Sequence, residues 1–311
     1  MNLIACLPPH LQGPTTVITP IAAGLSGAGV YRVEADRQRF VLKVAADSDP
    51  APRWRSRLAI QERAASAALA PAIVHVDEAH RAVVSAFVAD RGFAARYGDP
   101  RTRDAAIAQL GQTLRRVHDL PLPADTAAVD PRQQLGQLAS GLAAIAAPAF
   151  AADAVQRVLT ETPPASERPT VLSHNDVNPT NLVDDGEHVM LLDWDTAGAN
   201  EPFYDLAAIS VFFRMDDASC RQLLAAHDGA AASHLPARFS YDRRLVAVLC
   251  GTMFLQLARQ AGHSGATTET FDTAPSLVEV YQRMRAGVSS VATSEGRWQF
   301  GLALLKDSFA M

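Results

Sequence analysis

Several protein classes are excluded by what this sequence lacks. Only three cysteines occur in 311 residues, Cys6, Cys220 and Cys250. They are scattered without metal-ligand spacing, and an odd number builds no disulfide framework, which suits a reducing cytosol. No stretch is long and apolar enough to span a bilayer. The N-terminus, Met1-Asn2-Leu3-Ile4-Ala5-Cys6-Leu7-Pro8-Pro9, lacks the basic start and sustained apolar run of a signal peptide, so a cytoplasmic location is expected. No charge excess points to nucleic acid or an anionic membrane, because the formal net charge is −5. A mildly negative surface tolerates a cationic small substrate. There is no internal repeat, and no sequence feature specifies an oligomeric state.

What remains is an ordinary globular composition, 48% apolar and 20% charged, long enough for one large or two medium domains. The first ninety residues read as a sheet with one helix. Val17-Ile18-Thr19 leads into a glycine-rich turn, and the strands Val30-Tyr31-Arg32-Val33-Glu34 and Phe40-Val41-Leu42-Lys43-Val44 follow around a polar turn. Periodicity predicts a helix over 55–69, stopped by Pro71, then a hairpin of 73–76 with 82–88. Alternation ends at Asp90-Arg91-Gly92, the predicted linker, which divides the chain into 1–90 and 91–311. Beyond it Ile107, Leu110, Leu114 and Val117 repeat at helical spacing, and further helices are predicted over 133–160 (broken near Pro148), 204–213, 220–226, 243–261 and 274–290.

The chemistry concentrates in Ser173-His174-Asn175-Asp176-Val177-Asn178-Pro179-Thr180-Asn181, followed by Leu191-Leu192-Asp193-Trp194-Asp195. His174, Asp176 and Asn181 fit the spacing of a kinase catalytic loop, and Asp193 closes an apolar strand where a kinase holds its main metal ligand. Asp176 is the candidate base, since an alcohol attacking a γ-phosphate must be oriented and lose its proton. A turn-forming Asp is the plainer interpretation of that residue taken alone. Asn181 and Asp193 are candidate magnesium ligands, because magnesium needs only one or two hard protein oxygens beside the phosphates. His174 is expected to hold the loop by bonding backbone.

Lys43 and Glu62 form a second constellation. Lys43 lies in an otherwise apolar strand, and Glu62 shares a predicted buried stripe with Leu58, Ala65 and Leu69. Each is costly to bury alone, so the two are expected to pair and present the ammonium to nucleotide phosphates. Gly24, Gly27 and Gly29, with Ser26 among them, form a turn whose amides could approach phosphate oxygens.

The motif H-N-D-x-x-P-x-N, then L-D-W-x-x-A-G and Y-D-L-A, resembles the aminoglycoside phosphotransferase and choline kinase superfamily. The resemblance implies an α+β, bilobal protein-kinase-like fold, with a small antiparallel-sheet N-lobe carrying one key helix and a larger, mainly helical C-lobe. It implies ATP and Mg2+, with Asp176 as base, Asn181 and Asp193 as metal ligands, and Lys43 clamped by Glu62. It further implies Asp205 as a brace for the catalytic loop, and a hinge of Ser85, Phe87 and Val88 beneath adenine. Asp193-Trp194-Asp195 and Ala197-Gly198 most resemble bacterial choline, ethanolamine and thiamine kinases. Asp195 and Thr196, Ser210 to Phe213, and Gly27-Ala28 depart from those relatives. The expected enzyme transfers the γ-phosphate of ATP to a hydroxyl of a small molecule, an amino alcohol above others. An aminoglycoside-type phosphotransferase and a regulatory pseudokinase are the alternatives. Asp195, Asp216, Asp217, Tyr241, Asp242, Glu269 and Trp298 are the candidate substrate contacts, acidic or aromatic groups suited to an ammonium.

Overall fold

The computed structural model describes residues 2–21, 28–231, 233–265 and 268–311. Its N-terminal part is a five-stranded antiparallel sheet: β1 (Val17–Pro20), β2 (Gly29–Ala35), β3 (Gln38–Val44), β4 (Ile73–Asp77) and β5 (Ala82–Ala86), in the spatial order β1-β2-β3-β5-β4. Alternation drives the central strands. Val33, Ala35, Phe40, Leu42 and Val44 fall on one buried face, sealed by Cys6, Leu7 and Leu11 of the N-terminal segment. Asp36 and Arg37 between β2 and β3 both take positive φ, 49° and 64°, the turn sense that matches the twist of a two-residue hairpin.

Helix α1 (Ala51–Ser66) links β3 to β4 and begins four residues before the predicted start. Pro50 precedes it and Pro52 sits in its first turn, where a missing N–H leaves no bond unmade. It ends where Ala68 turns to φ 54°. After β5 the backbone is tied to the next part of the molecule: the Arg91 N–H donates to the Asp184 carbonyl at 2.7 Å, and Asp90 Oδ1 accepts from the Asp184 N–H at 3.0 Å.

The rest is largely helical: α2 (Phe93–Gly98), α3 (Arg103–His118), α4 (Pro131–Ala139), α5 (Ala149–Thr160), α6 (Pro202–Phe212), α7 (Asp217–Asp228), α8 (Ala237–Gln260), α9 (Leu277–Arg285) and α10 (Ser294–Asp307). Two of these were not expected. The short α2 has too few residues for a periodic signal. Helix α10 buries residues all round, from Trp298 to Leu305, so it carries no polar face to reveal its period. It crosses α8 through paired glycines: a Cβ on Gly301 would stand 2.8 Å from the Gly251 carbonyl oxygen.

Two small antiparallel pairs interrupt the helices, β6 (Val171–Ser173) with β9 (Gly198–Asn200) and β7 (Leu182–Asp184) with β8 (Val189–Leu191). They fix the stretch that carries the chemistry.

Candidate active site

Leu182 of β7 pairs with Leu191 of β8, and the Leu192 N–H extends the pair by donating to the Asn181 carbonyl at 2.8 Å. Asn181 and Asp193 therefore emerge at the same end of one hairpin. Asp193 leaves the strand with φ 60°, a conformation that a short polar side chain tolerates better than a bulky one.

Asp176 stands beside them. Its carboxylate accepts from Asn181 Nδ2 at 2.8 Å and from Asn178 Nδ2 at 3.0 Å. Burial pushes its pKa above the ordinary value, against the pull of His174 and these amides, and the charge of Asp193 adds to the rise. A carboxyl tuned upward is a better proton acceptor than an exposed one.

His174 is fully buried, and both ring nitrogens are engaged with backbone. Nε2 donates to the Leu192 carbonyl at 2.9 Å, Nδ1 accepts from the Asp176 N–H at 3.3 Å, and the ring meets Trp194 edge-on. This arrangement holds the loop. Asp205, in the first turn of α6, braces it from below by accepting from the His174 and Asn175 N–H groups, each at 2.8 Å. Burial alone would raise the Asp205 pKa, but His118 and these donors hold it below the ordinary value.

Lys43 lies on β3 opposite Val30 and Val83, and its ammonium meets two carboxylates, Asp193 at 2.7 Å and Asp195 at 2.8 Å. Burial would lower its pKa, but the two acids together raise it; the same pairing holds Asp193 below its ordinary value despite burial. The expected Lys43–Glu62 pair is corrected here. Glu62 is exposed, because the inward stripe of α1 runs through Trp54, Ile60 and Ala64, about 100° round the helix from the stripe expected. From α1 Arg57 turns towards the site: it pairs with Asp49 and reaches within 4.0 Å of Asp195. A cavity of about 290 Å3 opens here, lined by Lys43, Trp54, Arg57, Val83 and Asp195 among others. A second, of about 580 Å3, runs from α1 to the 123–134 segment and is bordered by Asn175, Asp195, Thr196 and Tyr204.

Other expected residues fare unevenly. Gly24, Ser26 and Gly27 lie outside the described residues. Gly29 opens β2 with the Tyr31 ring across it, so near that an added Cβ would fall 2.8 Å from the ring. Ser85 is buried in β5; the Phe87 N–H bonds the Arg39 carbonyl at 3.2 Å and the Arg39 guanidinium covers its ring, with Val88 half-buried beyond. Among the candidate substrate contacts, Asp195 is the one at the Lys43 site. Asp216 caps α7 by accepting from the Ser219 N–H, and Asp217 stands at its first turn, exposed near Arg243. Tyr241 and Trp298 are 1% exposed in the helical core, where Trp298 stacks on His263. Asp242 is sealed in α8 against Arg238, and Glu269 bonds Gln299. A single sequence cannot separate these packing roles from binding roles, since a buried aromatic and a site aromatic obey the same pattern.

Sequence reasoning missed Arg57 and His118. The signal for His118 was present: it continues the α3 face of Ile107, Gly111 and Leu114, at spacings of four, three and four residues.

The donor set suits a hard cation. Asn181 directs its amide nitrogen to Asp176, which leaves its amide oxygen available to a metal.

Residues 17–243 match the phosphotransferase enzyme family, a span that contains both the sheet and the site. The chain belongs to this family. Its fold is shared with a choline/ethanolamine kinase family protein from Mesorhizobium loti (TM-score 0.58, 20% identity, 96% of this chain and 95% of that one). It is likewise similar to an ethanolamine kinase of Plasmodium vivax (TM-score 0.62, 10% identity, 96% and 83%) and to an aminoglycoside-3'-phosphotransferase of type VIII (TM-score 0.52, 20% identity, 76% and 95%). No curated protein matches the sequence. The architecture is thus the bilobal, kinase-like α+β fold, and the chain is a phosphotransferase. Among the described residues, no helix is long and apolar enough to cross a membrane.

Proposed function

We propose that this phosphotransferase moves the γ-phosphate of ATP to a hydroxyl of a small molecule, an amino alcohol of the choline, ethanolamine or thiamine kind. The nucleotide would lie between the lobe ending near residue 90 and the helical lobe after it. One observation carries this reading: a lysine of β3 and the two ends of the β7–β8 hairpin converge, with Lys43 on Asp193 at 2.7 Å and Asn181 on Asp176 at 2.8 Å.

Each residue has a task that follows from its setting. Asp176, held by two amides, orients the acceptor hydroxyl and takes its proton as the O–P bond forms. Lys43 supplies fixed positive charge to the phosphates, and its present partners Asp193 and Asp195 keep it protonated and aimed at the site. Asn181 and Asp193 would hold magnesium, which when bound neutralises charge on the phosphoryl oxygens. Most of the rate then comes from positioning and electrostatics, with no covalent step on the protein. The acceptor would enter the 580 Å3 cavity beside Asn175 and Tyr204, where Asp125 and Asp130 on one wall give an ammonium group partners. Such an enzyme works where ATP is abundant, in the cytoplasm.

The test is ATP turnover with Mg2+ over a panel of choline, ethanolamine, thiamine and aminoglycosides, comparing wild type with Asp176→Ala. Turnover on an amino alcohol that the variant loses supports the assignment. Turnover on aminoglycosides alone would reassign the acceptor, and tight ATP binding without turnover on any acceptor would make the chain a nucleotide-binding regulator.

A further inference from the structure

Beneath the catalytic loop runs a buried chain of charge that the phosphotransfer chemistry does not itself require. Asp205 Oδ2 contacts His118 Nε2 at 3.2 Å, His118 Nδ1 contacts His227 Nε2 at 2.9 Å, and His227 Nδ1 contacts Asp228 Oδ1 at 2.7 Å. Arg168 closes the outer end with a two-pronged bond to Asp228 at 2.5 and 2.8 Å. His118 is 6% exposed, His227 4% and Asp205 0%, so water does not substitute for these partners. The chain joins four elements: α6 for Asp205, the end of α3 for His118, the end of α7 for His227 and Asp228, and the segment before β6 for Arg168.

Counting protons fixes the charge of this chain. Both end groups are carboxylates and can only accept, since each is held below its ordinary range: Asp205 by His118, Asp228 by His227 and Arg168, in both cases against burial. Three contacts in series between them need three ring N–H groups. Two neutral imidazoles carry two. The chain is complete only when the pair holds one additional proton, and the charges of Asp205, Asp228, Arg168 and the histidine pair then sum to zero. Without that proton, two nitrogen lone pairs would face each other at 2.9 Å in a dry interior, an expensive arrangement. Burial lowers the pKa of His227, against the pull of Asp228.

We infer that His227 is a positioning residue for phosphotransfer: with His118 it shares one proton that locks Asp205 beneath the catalytic loop, and loss of that proton loosens Asp176. The connection to the loop is direct, because the Asp205 oxygen that meets His118 also accepts the His174 N–H, two residues from Asp176. The remaining charged and titratable groups facing the chain are His174 and Tyr204 at the Asp205 end, and Arg115 and Asp119 at the surface near Asp228. The role assigned to Asp176 rests on the function proposed above; the proton count does not.

Two measurements keep those claims apart. The first is 15N-imidazole NMR of the wild-type chain at pH 8, where an ordinary histidine with pKa about 6.5 is almost wholly neutral. The expected result is three slowly exchanging ring N–H protons on the His118–His227 pair. Two neutral rings at that pH would overturn the inference. The second is the pH profile of ATP-Mg hydrolysis with water as acceptor, for wild type, His227→Leu and His227→Gln. A glutamine can accept from His118 and donate to Asp228, whereas leucine can do neither. His227→Leu should lower kcat about tenfold with little change in KM for ATP and should remove the alkaline limb, and His227→Gln should restore most of the rate. Equal profiles for all three would also overturn it. If His227→Leu does not fold, the NMR count decides. If wild type hydrolyses no ATP, the kinetic comparison moves to the acceptor that the panel above identifies, and the NMR count again decides the proton.

Discussion

Replacing Asp242 by asparagine tests the finding that this residue is a buried structural acid. Asp242 is fully buried in α8, and burial raises its pKa to about 6, even though Arg238 reaches it at 3.0 Å. Relative to an unfolded aspartate near 3.9, that is about 2 pKa units, or about 3 kcal/mol at 1.36 kcal/mol per unit. The sign follows from which state holds the proton. Between pH 4 and pH 6 the folded chain keeps a proton that the unfolded chain has released. This contribution to stability is therefore complete below pH 4 and is lost as pH rises through 6. Asparagine does not ionise, so Asp242→Asn escapes the loss. Any fixed cost of disturbing Arg238 enters at every pH and cancels in the difference between two pH values. Urea denaturation of wild type and variant at pH 4.5 and 7.5 should show the variant gaining about 2 kcal/mol on wild type between those points. ATP turnover should stay within a factor of about two, since Asp242 lines neither cavity at the site. A relative gain below about 1 kcal/mol would refute the burial argument, and a collapse of turnover would return Asp242 to the binding surface.

Four further outcomes follow from the structure. Asp176→Asn should cut kcat by about 10²- to 10⁴-fold while leaving ATP binding by calorimetry nearly unchanged; in the wild type, the raised Asp176 pKa places the acid limb of kcat above the usual carboxylate range. Lys43→Met should raise the KM for ATP at least about tenfold, because it strips the phosphates' fixed charge and leaves Asp193 and Asp195 facing each other. Glu62→Ala should change both KM and stability little, within about 0.5 kcal/mol, as for an exposed side chain; an equal loss in both variants would restore the Lys43–Glu62 pair. Gly111→Val should destabilise the chain by about 1–3 kcal/mol in thermal or chemical denaturation. The reason is close contact: a Cβ at Gly111 would stand 2.7 Å from the Leu223 carbonyl oxygen, where α3 meets α7 and His118 meets His227.

The catalytic stretch was legible because its members are close in sequence. Asp176, Asn178 and Asn181 reach one another within a single loop, and Asn181 and Asp193 leave the same end of a hairpin whose short strands announce themselves by their apolar residues. The β2–β3 hairpin was legible for a similar reason, with alternation on both sides of a two-residue turn. Helix α10 was not, since a helix buried on all sides has no amphipathic period to detect.

Sequence by itself determined the local machinery: the strand that carries Lys43, the loop that carries Asp176, and the hairpin ends that carry Asn181 and Asp193. Tertiary structure decided which partners those groups meet across long separations. Lys43 pairs with carboxylates 150 and 152 residues away and not with the expected glutamate of α1, because Glu62 lies about 140° round that helix from Arg57, which turns towards the site. His118 and His227, 109 residues apart, come within 2.9 Å only because α3 and α7 pack glycine to backbone. Periodicity tells which positions of a helix are apolar, but helix packing fixes which neighbour each one faces, and a charge takes its partner from that neighbour.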